Sequence, residues 1–176
     1  VCAIRGNFDD AQTGVKALFT DDEVKVKLEQ NGMRFSSANS INWGRLVPQI
    51  VYYISAYCDL VAQKKIVNGD PINVVVPTGN FGNILAAAYA KRMGLPVGKL
   101  ICASNQNHVL TDFIRTGVYD RRREFLISSS PSMDILISSN LERLLFDLTG
   151  SDEEVRGYMA ELAETGRYQV SEQVLD

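Results

Sequence analysis

The β-branched run Ile72-Asn73-Val74-Val75-Val76-Pro77 constrains the fold most, because a glycine loop and an alanine-rich helix follow it directly. Such runs are typical of strands buried in a parallel sheet. A helix is predicted from Ile84 to Met93, with Gly94 as its stop, and Lys99 to Ala103 is predicted as the next strand. Strand, loop, helix and strand in this order form a right-handed βαβ unit. The sequence therefore predicts an α/β fold with a mainly parallel open sheet covered by helices.

Apolar spacing predicts helices on both sides of this unit. The strongest pattern runs from Leu46 to Val61 and has Pro48 in its first turns. Ser151 and Glu154 form a capping-box pattern for a last helix that ends near Glu164. Shorter helices are predicted over residues 21–30, 109–116 and 136–148.

The loop Gly79-Asn80-Phe81-Gly82-Asn83 is the best candidate for a binding site. It lies between the strand and the helix, where the first N–H groups of a helix face the carboxyl edge of the sheet. Its glycines allow a close approach to an anion. The loop matches neither the Walker motif nor the GxGxxG fingerprint. Two interpretations stay open, a phosphate site and a tight turn with a helix cap.

Composition excludes several other classes of function. A net charge of -3 argues against binding to nucleic acid, which requires clustered cations. No apolar run approaches the roughly 18 residues of a membrane span. The cysteines Cys2, Cys58 and Cys102 have neither CxxC spacing nor a nearby histidine, so we expect no metal site and small buried thiols. These features predict a cytoplasmic protein.

Several motifs together resemble the threonine synthase family of fold type II enzymes, which use pyridoxal 5'-phosphate (PLP). They stand in the order seen in that family and cover most of the chain. The motifs are Arg5 to Gln12, Ser37 to Arg45, Gly79 to Asn83, Leu110 to Phe113 and Ser132 to Ile135. The resemblance implies a tryptophan-synthase-beta-like large domain over 37–150, the end of a small domain over 1–36, and a C-terminal helix in 151–176.

The resemblance also implies an activity, the conversion of O-phospho-L-homoserine and water to L-threonine and phosphate. PLP is the implied cofactor and acts in such enzymes as an electron sink. Gly79, Asn80, Phe81, Gly82 and Asn83 match the family loop that binds the PLP phosphate.

The segment from Ser37 to Arg45 matches a family passage beside the substrate. Its implied substrate-binding residues are Asn39, Ser40, Asn42 and Arg45. Arg45 is suited to a bidentate contact with a phosphate or carboxylate. A second interpretation stays open, in which these polar groups cap the long helix.

Polar residues after the second strand, Asn105, Asn107 and His108, are expected on the same side as the loop. A structural role is the expectation for His108. Ser132 and Asp134 are expected to shape the wall of the cleft or to serve as loop and cap residues.

The sequence departs from the family because the motif that carries the Schiff-base lysine is absent. The upstream loop that contacts the ring hydroxyl in that family and the downstream residues expected to meet the pyridine nitrogen are absent as well. With no initial methionine and no tail, both ends resemble cuts, so we expect an internal piece. Because it lacks these family elements, this piece is expected to be inactive alone. Exposed strand edges are expected to favour self-association. Two alternatives remain open, another type II enzyme such as a serine or threonine dehydratase, and a non-catalytic module that binds phosphate ligands.

Overall fold

The computed structural model of the chain describes residues 3–6, 8–38, 40–77 and 79–175. The helices are α1 (Phe8–Thr20), α2 (Asp22–Gln30), α3 (Trp43–Leu46), α4 (Ile50–Ala62), α5 (Gly82–Arg92), α6 (Val109–Thr116), α7 (Leu141–Thr149), α8 (Asp152–Thr165) and α9 (Glu172–Leu175). The strands are β1 (Ile72–Pro77), β2 (Val97–Ala103), β3 (Val118–Asp120) and β4 (Arg167–Gln169). Short 3-10 turns cover Val47–Gln49 and Pro131–Met133.

The predicted βαβ unit is present. Strands β1 and β2 pair in parallel, and α5 connects them. Val76 is buried on the face that meets the core, while Val75 and its register partner Ile101 are exposed on the opposite face. On α5, Ile84 and Leu85 are buried in the same core as Val76. The α/β prediction with a parallel sheet is confirmed.

A second, antiparallel sheet joins β3 to β4, with Tyr119 opposite Tyr168. The two tyrosine rings are stacked with centroids 5.3 Å apart, and Phe113 of α6 packs edge-on against both. These rings belong to the main core cluster. Strand β4 was not predicted, because three residues are too short to show an alternating pattern. Residues 151–175 therefore contain this strand and α9 in addition to the predicted helix.

Local signals account for the helix boundaries. The side chain of Asp21 accepts a hydrogen bond from the N–H of Val24 and caps α2. Ser151 caps α8 in the same way, through the N–H of Glu154. Pro48 lies in the 3-10 turn between α3 and α4, because proline has no N–H and its ring disfavours a regular helix interior. The long helix predicted from Leu46 to Val61 is therefore formed in successive pieces.

Two expectations were wrong. The helix predicted over 136–148 begins only at Leu141, because backbone and side-chain groups of Ser138 and Asn140 bind the glycine loop instead. The cysteines were expected to be buried, yet Cys58 is exposed on α4 and Cys102 is only half-buried. Cys2 lies outside the described residues.

No helix among the described residues has the length and apolar character that a bilayer span requires. In the same part of the chain, no group of three or more His, Cys, Asp or Glu side chains is placed to hold a metal ion.

Candidate functional site

The loop from Gly79 to Asn83, which we call the cradle, connects the carboxyl end of β1 to the first turn of α5. Phe81 precedes α5 and has left-handed backbone angles, with φ 63°. Such angles cost a non-glycine residue roughly 1 kcal/mol. The Phe81 side chain is 6% exposed and belongs to the core cluster. Core packing thus holds the backbone in a turn that few side chains favour.

The cradle presents backbone N–H groups at the start of α5. Within the described part of the chain, no acceptor is found for the N–H groups of Asn80, Phe81, Gly82 and Asn83. The first intrahelical bond runs from the N–H of Leu85 to the Phe81 carbonyl. The first N–H groups of a helix lack internal partners and carry its positive dipole end. The cradle therefore offers clustered donors suited to an anion.

The carbonyl groups of the cradle are held from one side by the segment Ser138–Asn140. The hydroxyl of Ser138 donates to the Gly79 carbonyl at 2.9 Å. Both the backbone N–H and Nδ2 of Asn140 donate to the Asn80 carbonyl, at 3.0 and 2.9 Å. Because C=O and N–H point in opposite directions in a trans peptide, the N–H groups of Asn80 and Phe81 face away from this segment.

Asn83, the last residue of the cradle, is fixed by α4 and the turn before it. The hydroxyl of Tyr53 donates to the Asn83 carbonyl at 2.8 Å and also contacts Oδ1 of Asn83. The Asn83 Nδ2 donates to Oε1 of Gln49 at 3.1 Å. Burial raises the pKa of the Tyr53 hydroxyl to about 12. This hydroxyl therefore remains protonated, and able to donate, throughout the physiological range.

Gly82 is required by a close approach to Ser40. A Cβ atom at Gly82 would lie 2.6 Å from Oγ and 2.7 Å from Cβ of Ser40. Oγ of Ser40 in turn accepts a hydrogen bond of 2.9 Å from Nδ2 of Asn140. The structure thus brings Ser40, one of the predicted substrate residues, into contact with the cradle.

The other predicted substrate residues mostly serve local structure. Asn42 caps α3 by accepting from the N–H of Gly44, and its Nδ2 donates to the Ser37 carbonyl. Arg45 is exposed, and its Nε donates to the Ala38 carbonyl at 3.1 Å. Asn39 lies outside the described residues. For Asn42, the capping interpretation left open by the sequence is the one that the hydrogen bonds support.

A buried carboxylate, Asp134, organises the loop beside the cradle. It accepts hydrogen bonds from the N–H and hydroxyl of Ser128 and from Nδ2 of both Asn105 and Asn107. These donors, the Ser128 N–H first, hold the pKa of the Asp134 carboxyl below its usual range. The same loop brings the Ser132 carbonyl close to Gly79, 3.4 Å from the position of an added Cβ.

His108 takes part in a surface ion-pair cluster at the start of α6. Its Nδ1 lies 3.0 Å from Oδ2 of Asp112, and Arg123 donates to the same carboxylate at 2.8 Å. The side chain of His108 is about half exposed. These contacts support the structural role expected for this residue.

Comparisons with known proteins give a consistent result. The chain is 41% identical to threonine synthase of Eremothecium gossypii over 186 aligned residues. The alignment covers 99% of this chain and 34% of the relative. It resembles the crystal structure of PLP-bound threonine synthase from Brucella melitensis with a TM-score of 0.79 at 45% identity, over 98% of this chain and 35% of the other. The chain belongs to the threonine synthase family.

Another relative of this threonine synthase family member is human threonine synthase-like 1. The two are 56% identical over 154 residues, which cover 86% of this chain and 21% of the relative. The chain thus spans about a fifth to a third of the length of these relatives. No protein-family model matches it. The resemblance drawn from the sequence and the fold type II architecture are confirmed.

The donor set of this threonine synthase family member fits the phosphate group of PLP. Free N–H groups at a helix start suit a phosphate, and an added Cβ at Gly82 would disturb that turn. The cradle needs no cationic side chain to bind a phosphate group, because the helix dipole and several N–H donors already favour a negative charge.

Sequence reasoning missed the residues that support the cradle. Tyr53 lies within a regular apolar helix pattern that gives no sign of a polar contact. The spacing over 136–148 predicts a helix at Ser138 and Asn140. The polar triplet Ser138–Asn140 interrupts the apolar spacing just before Leu141, and this is the signal that would have revealed a loop.

Proposed function

We propose that this chain binds the phosphate of PLP as part of a threonine synthase. The reaction is that of O-phospho-L-homoserine and water to L-threonine and phosphate, a carbon–oxygen lyase reaction in threonine biosynthesis. One observation carries the proposal, the set of N–H groups from Asn80 to Asn83 that find no acceptor among the described residues of a chain of this family. The PLP-bound relative from Brucella melitensis supports the choice of cofactor.

In this proposal the cradle, Gly79 to Asn83, supplies the phosphate donors. Gly82 lets Ser40 approach closely, and the core-packed ring of Phe81 keeps the turn rigid. A rigid donor set binds an anion without the cost of ordering the loop. When bound, PLP supplies an electron sink for negative charge that develops on the substrate.

The substrate would lie beside Ser40 and Arg45, with Asn39 and Asn42 as further candidates. Among the described residues, Nε of Arg45 donates a hydrogen bond to Ala38, and no partner is found for its Nη nitrogens. A guanidinium with a free edge is suited to a phosphate or carboxylate. The substrate is a small molecule, and neither nucleic acid nor a membrane is expected as a partner.

The division into the end of a small domain (1–36), a large-domain core (37–150) and a C-terminal segment (151–176) is part of the proposal, as is a cytoplasmic location. The Schiff-base lysine is absent from this sequence. We therefore expect the 176-residue chain to bind phosphate ligands without turning over substrate.

The test is an assay of the complete natural protein that contains this chain. With PLP present, we expect release of phosphate from O-phospho-L-homoserine and formation of L-threonine in equal amounts. The 176-residue chain alone serves as the inactive control. Release of phosphate without threonine, or no reaction in a folded protein loaded with PLP, would contradict the proposal.

The same assay separates the alternatives. Conversion of serine or threonine to a 2-oxo acid, with no reaction of O-phospho-L-homoserine, would indicate a dehydratase. Binding of phosphate esters without any turnover in the complete protein would indicate a non-catalytic module. Human threonine synthase-like 1 is a fitting comparison protein because it is 56% identical to this chain.

A further inference from the structure

Arg143, in the first turn of α7, joins two parts of the chain that are far apart in sequence. Its Nη1 donates to the Ser40 carbonyl at 2.8 Å and also contacts Oδ1 of Asn140. Its Nη2 donates to the Ile41 carbonyl. The guanidinium carbon lies 6.0 Å from the ring centroid of Trp43. A planar guanidinium with several fixed donors is suited to such a junction, whereas the ammonium of lysine is a point charge.

The contact with Arg143 determines which way the Asn140 amide faces. Oδ1 must point to the guanidinium, which only donates, so Nδ2 must point to the opposite side. There it donates to Oγ of Ser40 and to the carbonyl of Asn80, both at 2.9 Å. A reversed amide would place its NH2 against Arg143 and its oxygen against the Asn80 carbonyl.

We propose that Arg143 is a positioning residue for the phosphate cradle. It orients the Asn140 amide, which holds the Asn80 carbonyl and so directs the next N–H, that of Phe81, towards the ligand. It also fixes the backbone of Ser40, whose side chain lies against Gly82. Its effect on phosphate binding rests on the proposed function, whereas its effect on the geometry of the cradle does not.

Binding of pyridoxine 5'-phosphate to the PLP-free form of the complete natural protein tests this role, because this ester cannot form a Schiff base. Pyridoxine, which lacks the phosphate, is the matched ligand. The variants are Arg143→Ala, Arg143→Lys and Asn140→Asp. Arg156→Ala is the matched control, because Arg156 is exposed and its one ion pair within the described part of the chain is with Asp152 of its own helix.

We expect Arg143→Ala and Asn140→Asp to weaken binding of the phosphate ester roughly 10- to 100-fold, the usual effect of losing hydrogen bonds from a charged group. Binding of pyridoxine is expected to stay the same, and Arg156→Ala is expected to bind like the parent protein. Arg143→Lys keeps the charge without the planar fork and is expected to be intermediate. A folded Arg143→Ala variant with unchanged affinity for the ester would overturn the proposal.

Chemical rescue separates positioning from general stability. Arg143 lines a cavity of about 450 Å3 with Trp43 and Tyr89, so its removal leaves a space that a small cation can enter. Methylguanidinium at concentrations that do not unfold the protein is expected to restore ester binding in Arg143→Ala. It is expected to have no such effect in Asn140→Asp, which still contains the arginine. Equal response of both variants would contradict the role assigned to Arg143.

Amide hydrogen exchange tests the proposal without any ligand. Arg143→Ala is expected to speed exchange several-fold at Asn140 and Leu85, whose N–H groups donate to the Asn80 and Phe81 carbonyls of the cradle, whereas Arg156→Ala is not. If the parent protein fails to bind the ester, the proposed function is wrong, and exchange at these amides still decides the role of Arg143. Unchanged exchange at both amides would count against the proposal.

Discussion

At the residue scale, Gly82 lets the start of α5 approach Ser40 closely, because glycine has no Cβ atom. The backbone of α5 begins in contact with Ser40, and the Cα of Gly82 leaves no space for a methyl group there. Serine has a short side chain that cannot swing far from this contact. The glycine is therefore explained by packing against Ser40, in addition to the needs of the turn.

Replacing Gly82 by alanine is expected to reduce both stability and affinity for phosphate esters. The added Cβ would lie 2.6 Å from Oγ of Ser40, and overpacking of this kind costs about 1–3 kcal/mol. The checks are chemical denaturation and titration with pyridoxine 5'-phosphate. Gly157→Ala in α8 is the control, since nothing lies within 4 Å of its Cβ position, and a gain of about 0.5–1 kcal/mol is expected there. A neutral Gly82→Ala would contradict this packing argument.

Asp134 is expected to make stability depend on pH in the acid range. Hydrogen bonds, first from the Ser128 N–H, lower its pKa in the folded state below the unfolded value of about 3.9. A depressed carboxyl pKa contributes stability above the unfolded pKa, and this contribution is lost as pH falls towards the folded pKa.

Asp134→Asn is therefore expected to be less stable than the parent at neutral pH, with a difference that shrinks below about pH 4. Denaturation midpoints measured at neutral and acid pH give this difference. Asp59→Asn, at an exposed position on α4, is the control and is expected to change little. A difference that grows on acidification would be inconsistent with the hydrogen-bond network around Asp134.

At the element scale, α4 and the turn before it support the last residue of the cradle, Asn83. Tyr53 of α4 is half-buried and binds the carbonyl of Asn83 in the first turn of α5. Its neighbour Tyr52 is 60% exposed. Adjacent residues on a helix point about 100° apart, so one tyrosine meets α5 while the other faces outward.

These neighbouring tyrosines provide a matched pair of variants. Tyr53→Phe removes one partly buried hydrogen bond and is expected to lower the free energy of unfolding by about 0.5–1.5 kcal/mol. Tyr52→Phe is expected to stay within about 0.5 kcal/mol of the parent, as is usual at the surface. Urea denaturation of both variants checks the difference. Equal values would show that the contact between Tyr53 and Asn83 does not stabilise the junction.

At the scale of the whole molecule, the sheet of β1 and β2 leaves apolar surface uncovered. Val75 is 59% and Ile101 is 43% exposed, and the two are register partners on the same face. Each strand also has one edge without a partner among the described residues. Uncovered edges and apolar faces favour pairing between chains. Self-association of the 176-residue chain therefore stays a prediction, and we expect it to occur through the exposed face and the edges of the β1–β2 sheet.

Val75→Lys is expected to weaken this self-association about tenfold or more, because a buried contact would need to desolvate a charge. Sedimentation velocity over a concentration series measures the effect. Val67→Lys is the control, since Val67 is 72% exposed in the turn before β1 and outside the sheet. A 176-residue chain that is monomeric at all concentrations would contradict the prediction.

The sequence by itself determined the α/β class, the βαβ unit and the position of the cradle. These features depend on local order, a β-branched strand followed by glycines and an apolar helix, and local order is readable from periodicity. N–H groups available to a ligand are expected from the same succession, because the first N–H groups of every helix lack intrahelical partners. The resemblance to the threonine synthase family was likewise carried by motifs in the chain.

Only the tertiary structure decided what holds the cradle in place. Asn140 and Ser40 are 100 residues apart, and Arg143 and Ser40 are 103 apart, yet they are in direct contact. Contacts at such separations leave no period or spacing in the sequence, because they depend on how α7 packs against the start of α5. The same packing delays the start of the predicted helix to Leu141, since the polar groups before it form hydrogen bonds to the cradle rather than to the next turn.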